Sequence, residues 1–332
     1  MIITRTPFRV SFFGGGTDLP SWLENHKGCV ISTTINKYCY INLRILPKIF
    51  EYNYRLRYYK TEQVREIKQI KHNSIRACLA YANLGNKKIE IVHNADLPAA
   101  SGLGSSSSFT VGLLNTINFL KNKQKDKNYL AKKAILIEQN ILKESVGIQD
   151  QIATAYGGFN YINLNKKNFK VHKINQEANI RKIEKNCLLI FTGLQRRANP
   201  LEKKKIDMIK KNKLDFELNK ILEITNEAKK NILSNNFRLK YWGQLLNEHW
   251  LFKKSLSSDV TNYKIDTIYN EIMSLGAYGG KLLGAGNGGF MLFLCPTNKK
   301  EIIEKKFGNL LIKDLKFDKN GSHMIYNLPE KN

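Results

Sequence analysis

The segment "PAASGLGSSSSF", residues 98–109, sets Gly102 and Gly104 directly before four consecutive serines. Past the serines, Phe109, Leu113, Ile117 and Leu120 recur at helical spacing, which predicts a glycine loop feeding a helix that begins near Ser105. A helix start offers unpaired backbone N–H groups and the positive end of the helix dipole, a setting that suits an anion. The plain alternative is an N-cap after a turn. Two more glycine clusters, Gly14–Gly16 and Gly279–Gly289, stand far away, and each alone says no more than "turn". Neither common phosphate-binding fingerprint is present. No G-x-x-x-x-G-K-[ST] occurs, Ser107 occupies the third glycine position after Gly102 and Gly104, and Gly284, Gly286 and Gly289 lead into a strand rather than a helix.

The elements around these residues read as follows. The first hundred residues are mostly strands: "FRVSFFGG", then "CVISTTINKYCYINLRIL" as one long strand or a hairpin, then "YRLRYYKT" and "KKIEIVHNA". A helix is expected at 73–84, two more at about 105–120 and 129–143, then strand-like "GGFNYINL" and "FKVHKI". The second half opens on the apolar strand "CLLIFTG" and continues with helices near 200–212, 214–233, 237–256 and 261–275. A glycine loop between two apolar strands follows, then a helix near 299–307 and a short strand. Strand-rich followed by helix-rich order argues α+β. The polar, Lys/Asn-rich stretch at 165–185 marks a domain boundary, giving domains 1–180 and 181–332.

At 332 residues the chain can build a sizeable core, and 42% hydrophobic content excludes wholesale disorder. The formal net charge is +26; 43 of the 54 basic residues are Lys, scattered rather than gathered into an Arg-containing stripe. That pattern argues against a nucleic-acid binder, although such a field would attract an anionic substrate. The five cysteines form no CxxC pair, so neither a zinc site nor a disulfide framework is indicated. Without a long apolar run at the start or elsewhere, a cytoplasmic protein with no membrane partner is expected. His93 and His249 lack metal-like spacing and read as structural.

"TPFRVSFFGGGTDLP", "PAASGLGSSSS" and "KLLGAGNGGF", in that order and at those separations, resemble the three motifs of the galactokinase, homoserine kinase, mevalonate kinase and phosphomevalonate kinase (GHMP) superfamily, across Arg5 to about Leu294. The "GGGTD" variant, with "GIQDQIATAYGGFNY" and "GAYGGKLLGAGNGGF", looks most like the D-glycero-D-manno-heptose 7-phosphate kinases, with fucokinase-type sugar kinases close behind. The resemblance implies an N-terminal domain like ribosomal protein S5 domain 2 and a ferredoxin-like C-terminal domain. It implies phosphoryl transfer from ATP, with Mg2+, to the anomeric (C1) hydroxyl of a small-molecule sugar phosphate. The 1,7-bisphosphate so formed would serve nucleotide-activated heptose and surface polysaccharide synthesis. A homo-oligomer is left open.

The same resemblance assigns residues. Pro98, Ala100, Ser101, Gly102, Leu103, Gly104, Ser105, Ser106 and Ser107 would cradle the triphosphate, and Ser106 and Glu138 would ligate magnesium. Asp150 would be the catalytic aspartate, with Arg9 stabilising charge beside it. Gly15, Gly16, Thr17 and Asp18 would meet the sugar, and Gly284, Gly286 and Gly288 would close over phosphates and substrate. Asn287 departs from the glycine usual there. Arg196 and Arg197 are candidates for a substrate phosphate, or equally a solvated helix start. The rival readings are a sugar-1-kinase for an unphosphorylated sugar such as fucose and, from another class, a nucleic-acid-binding protein, for which no aromatic RNP-type motif is found.

Overall fold

The β-branched and aromatic run expected as a strand or hairpin is one strand of 18 residues, Gly28–Ile45. A computed structural model describes residues 1–84, 87–195, 199–312 and 314–328. In chain order its strands are β1 (Ile2–Phe13), β2 (Gly28–Ile45), β3 (Tyr54–Arg57), β4 (Thr61–Val64), β5 (Ile89–Ala95), β6 (Asn160–Leu164), β7 (Phe169–Lys173), β8 (Cys187–Phe191), β9 (Gly279–Leu282), β10 (Phe290–Leu294), β11 (Phe317–Asp318) and β12 (His323–Asn327). The helices are α1 (Pro20–Leu23), α2 (Asn73–Ala82), α3 (Ser105–Leu120), α4 (Lys127–Ile135), α5 (Gln149–Tyr156), α6 (Glu177–Asn186), α7 (Asn199–Lys210), α8 (Asp215–Leu233), α9 (Leu239–Ser255), α10 (Tyr263–Ser274) and α11 (Thr297–Phe307). The arrangement is α+β, as the order of elements implied.

β2 organises the first sheet. Its length lets one edge carry β1 while the other takes β6, β11 and β5 in succession. Beyond β5 come β3 and β4, with β3 running parallel to β5. The second sheet is antiparallel, in the order β8-β10-β9. β11 and β12 lie in the segment expected to form the second domain, yet they pair with β2 and β1. Ser322, just before β12, ties three elements together: its hydroxyl meets that of Thr6 and accepts from the Asn115 side-chain amide, and its N–H donates to the Thr154 carbonyl. The expected polar boundary at 165–185 also holds most of α6, which packs Ile180 and Ile183 on the core.

One core spans both halves. Trp242 of α9 is fully buried against Phe12 and Phe13 of β1, with ring centroids 4.9 Å apart in each case. A smaller cluster, including Trp250, Ile268 and Phe293, covers the other face of the second sheet. Among the described residues, no helix is long and apolar enough to cross a membrane.

Candidate active site

A cavity of about 720 Å³ lies where loops from both sheets meet, and each of the three glycine clusters reaches it. β1 brings Arg9 into its wall. The Arg9 side chain is buried, and its Nε and Nη2 donate to the two carboxylate oxygens of Asp150 at 2.7 and 2.6 Å. Nη1 donates to the Gly102 carbonyl at 2.6 Å, so one guanidinium ties β1, the serine loop and the first turn of α5. Asp150 stands inside the first turn of α5, where the helix dipole favours a carboxylate.

The serine loop enters α3 as its pattern predicts. Gly104 precedes the helix at φ +73°, and a Cβ there would come within 3.0 Å of Arg9 Cγ, so glycine serves both conformation and contact. Ala100, Gly102, Gly104, Ser105, Ser106 and Ser107 line the cavity. The three other expected cradle residues do not line it. Ser101 and Leu103 are fully buried and offer their carbonyls to Phe290 N–H and Arg9 N–H, and exposed Pro98 lies outside the lining.

Glu138 is buried in a π-helical turn, Leu136–Ile141, that continues α4. Such turns recur at functional sites because they re-aim a side chain. The serine set against Glu138 is Ser107, which donates to Oε2 at 2.9 Å, whereas Ser106 points to the open side of the helix start. Burial pushes the Glu138 carboxyl up to about 7, against the hydrogen bonds it accepts.

Asp18 is buried 2.9 Å from the Gly16 N–H and 3.3 Å from the Gln149 N–H, both donating to it. Burial raises its carboxyl to about 6; those N–H groups oppose the rise and the charge of Asp150 adds to it. Gly147 lies directly behind: a Cβ there would sit 1.8 Å from Asp18 Oδ2. Gly15 and Gly16 line the cavity beside it. Thr17 does not join them, because its hydroxyl donates to the Gly14 and Cys29 carbonyls inside the fold. In the third cluster Gly284 lines the cavity, while Gly286 packs on Val260 and Gly288 on Leu194. Asn287 takes the left-handed φ of +60° that its glycine-rich setting demands, a conformation asparagine tolerates. Arg196 and Arg197 lie outside the described residues.

Several lining groups escaped the sequence reading. Lys281 of β9 is buried, donates to the Phe12 carbonyl at 2.9 Å, and is pulled down to about 7 by burial, with Arg9 adding and Asp18 opposing. A lysine inside the apolar run "GGKLL" was the available signal. Lys253 donates to the Leu282 and Gly284 carbonyls, and Glu202 and Lys205 of α7 pair with each other. At the far end, Phe109 meets His72 and His93 at centroid distances of 5.0 and 4.9 Å. His93 thus lines the cavity rather than serving only as packing, and burial lowers it to about 4. His249 is buried and accepts the Gly14 N–H, which anchors the first glycine loop from α9.

Comparison with known proteins places this geometry. Residues 71–158 match the GHMP kinases N terminal domain and residues 228–312 the GHMP kinases C terminal domain. The chain is 30% identical over 96% of its length, and 97% of the other protein, to a D-glycero-alpha-D-manno-heptose 7-phosphate kinase of Campylobacter jejuni. It is 27% identical to a mevalonate kinase of Methanocaldococcus jannaschii, over 92% of this chain and 95% of that one. A solved D-glycero-D-manno-heptose 1-phosphate kinase from Bacteroides thetaiotaomicron shares the fold, with a TM-score of 0.79 at 22% identity, covering 99% and 100% of the two chains. Both domain matches in order, together with a full-length relative, establish that the chain belongs to the GHMP kinases and is a phosphotransferase.

Proposed function

We propose that this kinase transfers the γ-phosphoryl group of ATP to the anomeric C1 hydroxyl of D-glycero-D-manno-heptose 7-phosphate, as a step toward nucleotide-activated heptose and surface polysaccharide. The observation that carries the reading is the Arg9–Asp150 pair, held between the serine loop on one side and Asp18 on the other. The sugar itself is taken from the likeness to the Campylobacter enzyme. In this reading residues 1–180 supply the phosphate loop and the aspartates, and residues 181–332 supply the closing glycine loop.

The chain's own groups divide the work. The N–H groups at the start of α3 receive the phosphates, and the apolar end formed by Phe109, His72 and His93 receives the base. Asp18 accepts hydrogen bonds from sugar hydroxyls. Asp150 accepts the proton of the attacking hydroxyl, and Arg9 fixes its carboxylate while offsetting negative charge on the group in transfer. A magnesium ion fits the residues present: Glu138 Oε1 is buried and accepts no hydrogen bond among the described residues. Glu138 and a hydroxyl of Ser106 or Ser107 would hold it, the one or two protein oxygens that magnesium needs among phosphates. When bound, the ion supplies charge neutralisation for the phosphates.

The test is ADP release measured over a panel of sugars and sugar 7-phosphates. Heptose 7-phosphate should give the highest kcat/KM. Preference for an unphosphorylated sugar would replace this reading with a fucokinase-like one.

A further inference from the structure

The cavity wall beyond Asp18 carries an ion pair that the proposed chemistry does not use. Glu202 and Lys205 lie one turn apart on α7, and Lys205 Nζ donates to both carboxylate oxygens, at 3.0 and 3.1 Å. The Lys205 side chain is 5% exposed and that of Glu202 13%, and both line the cavity. α7 packs on α1, the short helix directly after Asp18, and the charge of Glu202 is felt at Asp18. The pair therefore borders the sugar end of the cavity and not the serine loop.

A buried ion pair is a poor source of stability, because desolvating two charges offsets most of their attraction. This pair has a different use. Arg9 is committed to Asp150 on α5, and Lys281 and Lys253 donate to main-chain carbonyls that belong to other elements. Lys205 is held by a neighbour on its own helix, so it can exchange that carboxylate for a ligand without loosening any contact between elements. A phosphate monoester carries more charge than one carboxylate and three strong acceptor oxygens, so it competes well for the ammonium. We propose that Lys205 anchors the non-reacting phosphate of the acceptor, and that Glu202 keeps the ammonium aimed into the cavity until that phosphate arrives. This rests on the reading of the acceptor as a sugar phosphate. Glu202 also acts as a counterweight, since it repels the incoming dianion and lowers affinity for it.

Steady-state rates with heptose 7-phosphate and with free heptose, at saturating ATP, test the assignment. Lys205→Met should lower the ratio of kcat/KM for the 7-phosphate over that for free heptose by roughly tenfold or more, mainly through KM, the scale of one charge-assisted hydrogen bond. Glu202→Gln should move the ratio the other way, lowering KM for the 7-phosphate by about threefold, because a like charge is removed. Should Lys205→Met fail to fold, Lys205→Arg, which keeps the cation, should retain the preference while Glu202→Gln still raises it. An unchanged ratio in Lys205→Met, a raised KM for ATP instead, or a Glu202→Gln variant that weakens both sugars alike would overturn the anchor and leave the acceptor reading standing. Wild-type enzyme that uses free heptose as well as the 7-phosphate would overturn the acceptor reading, and the anchor with it.

Discussion

Acid should loosen this kinase's hold on its sugar before it harms the fold, and the two effects should carry opposite signs. In the proposed reading Asp18 accepts from sugar hydroxyls as a carboxylate, and burial raises its carboxyl to about 6. One pH unit below that value only about one carboxyl in eleven is ionised, so kcat/KM for the sugar should fall about tenfold from pH 7.5 to pH 5 through this group. The charged groups that face it are Asp150, Glu202 and Lys281. Stability runs the other way. A carboxyl raised from 3.8 to about 6 on folding favours the folded state when protonated, so its contribution grows as pH falls from 6 toward 4, by about 3 kcal/mol at most. Initial rates of ADP release at subsaturating sugar and saturating ATP, from pH 5 to 8, give the profile, and thermal melts at each pH give the stability. Asp18→Asn should lower the rate and flatten the profile measured with free heptose, which has no phosphate of its own to titrate near 6. A flat wild-type profile down to pH 5, or an inflection near 6 that persists in Asp18→Asn with free heptose, would refute the assignment of hydroxyl binding to this carboxylate.

Three further outcomes are expected. Asp150→Asn should cut kcat by ~100-fold or more with little change in ATP binding, measured by single-turnover rates and nucleotide titration. Glu138→Gln should raise the magnesium concentration for half-maximal rate, as should Ser106→Ala or Ser107→Ala, whichever serine shares the ion. The serine effect should then shrink in the Glu138→Gln background, because groups on one ion do not act independently. Gly147→Ala should behave like loss of Asp18, because the new Cβ would meet Oδ2 at 1.8 Å. Its kcat/KM for sugar should fall at least ~10-fold while KM for ATP moves less, the pattern of a displaced substrate group.

Much of the frame was legible from local pattern. The serine loop and its helix at 105–120 match α3 to the residue, because glycines before a 3.6-period apolar run leave few alternatives. Asp18, Glu138, Arg9 and Asp150 converge on one cavity although the chain between them crosses most of the first sheet. What failed was what depends on tertiary contact. Four adjacent serines look alike in sequence, and the phase that turns Ser107 toward Glu138 is set by how α3 packs. Thr17 was misjudged because nothing in "GGGTD" reveals that its hydroxyl closes the loop from inside. Lys205, on a Lys-rich amphipathic helix, is indistinguishable by pattern from its solvated neighbours Lys203 and Lys204. The return of β11 and β12 to the first sheet could not be read from strands of 2 and 5 residues, because so short a run does not say which sheet it joins.

That return has a consequence for how the enzyme comes into being on the ribosome. Ser322 joins β1, α3 and α5, the elements that carry Arg9, the serine loop and Asp150. Asp318 accepts from Gly158 just past α5, and β12 covers the outer edge of Ile2–Arg5. All of these clamps are synthesised after every other part of the site. A nascent chain that has emerged only through α11 holds Arg9, the serine loop and Asp150 but lacks the segment that locks their three elements together. It also leaves uncovered the edge of β1 that β12 pairs with, the kind of edge that recruits other chains. The three elements around the cavity are therefore locked together only when residues 317–327 dock.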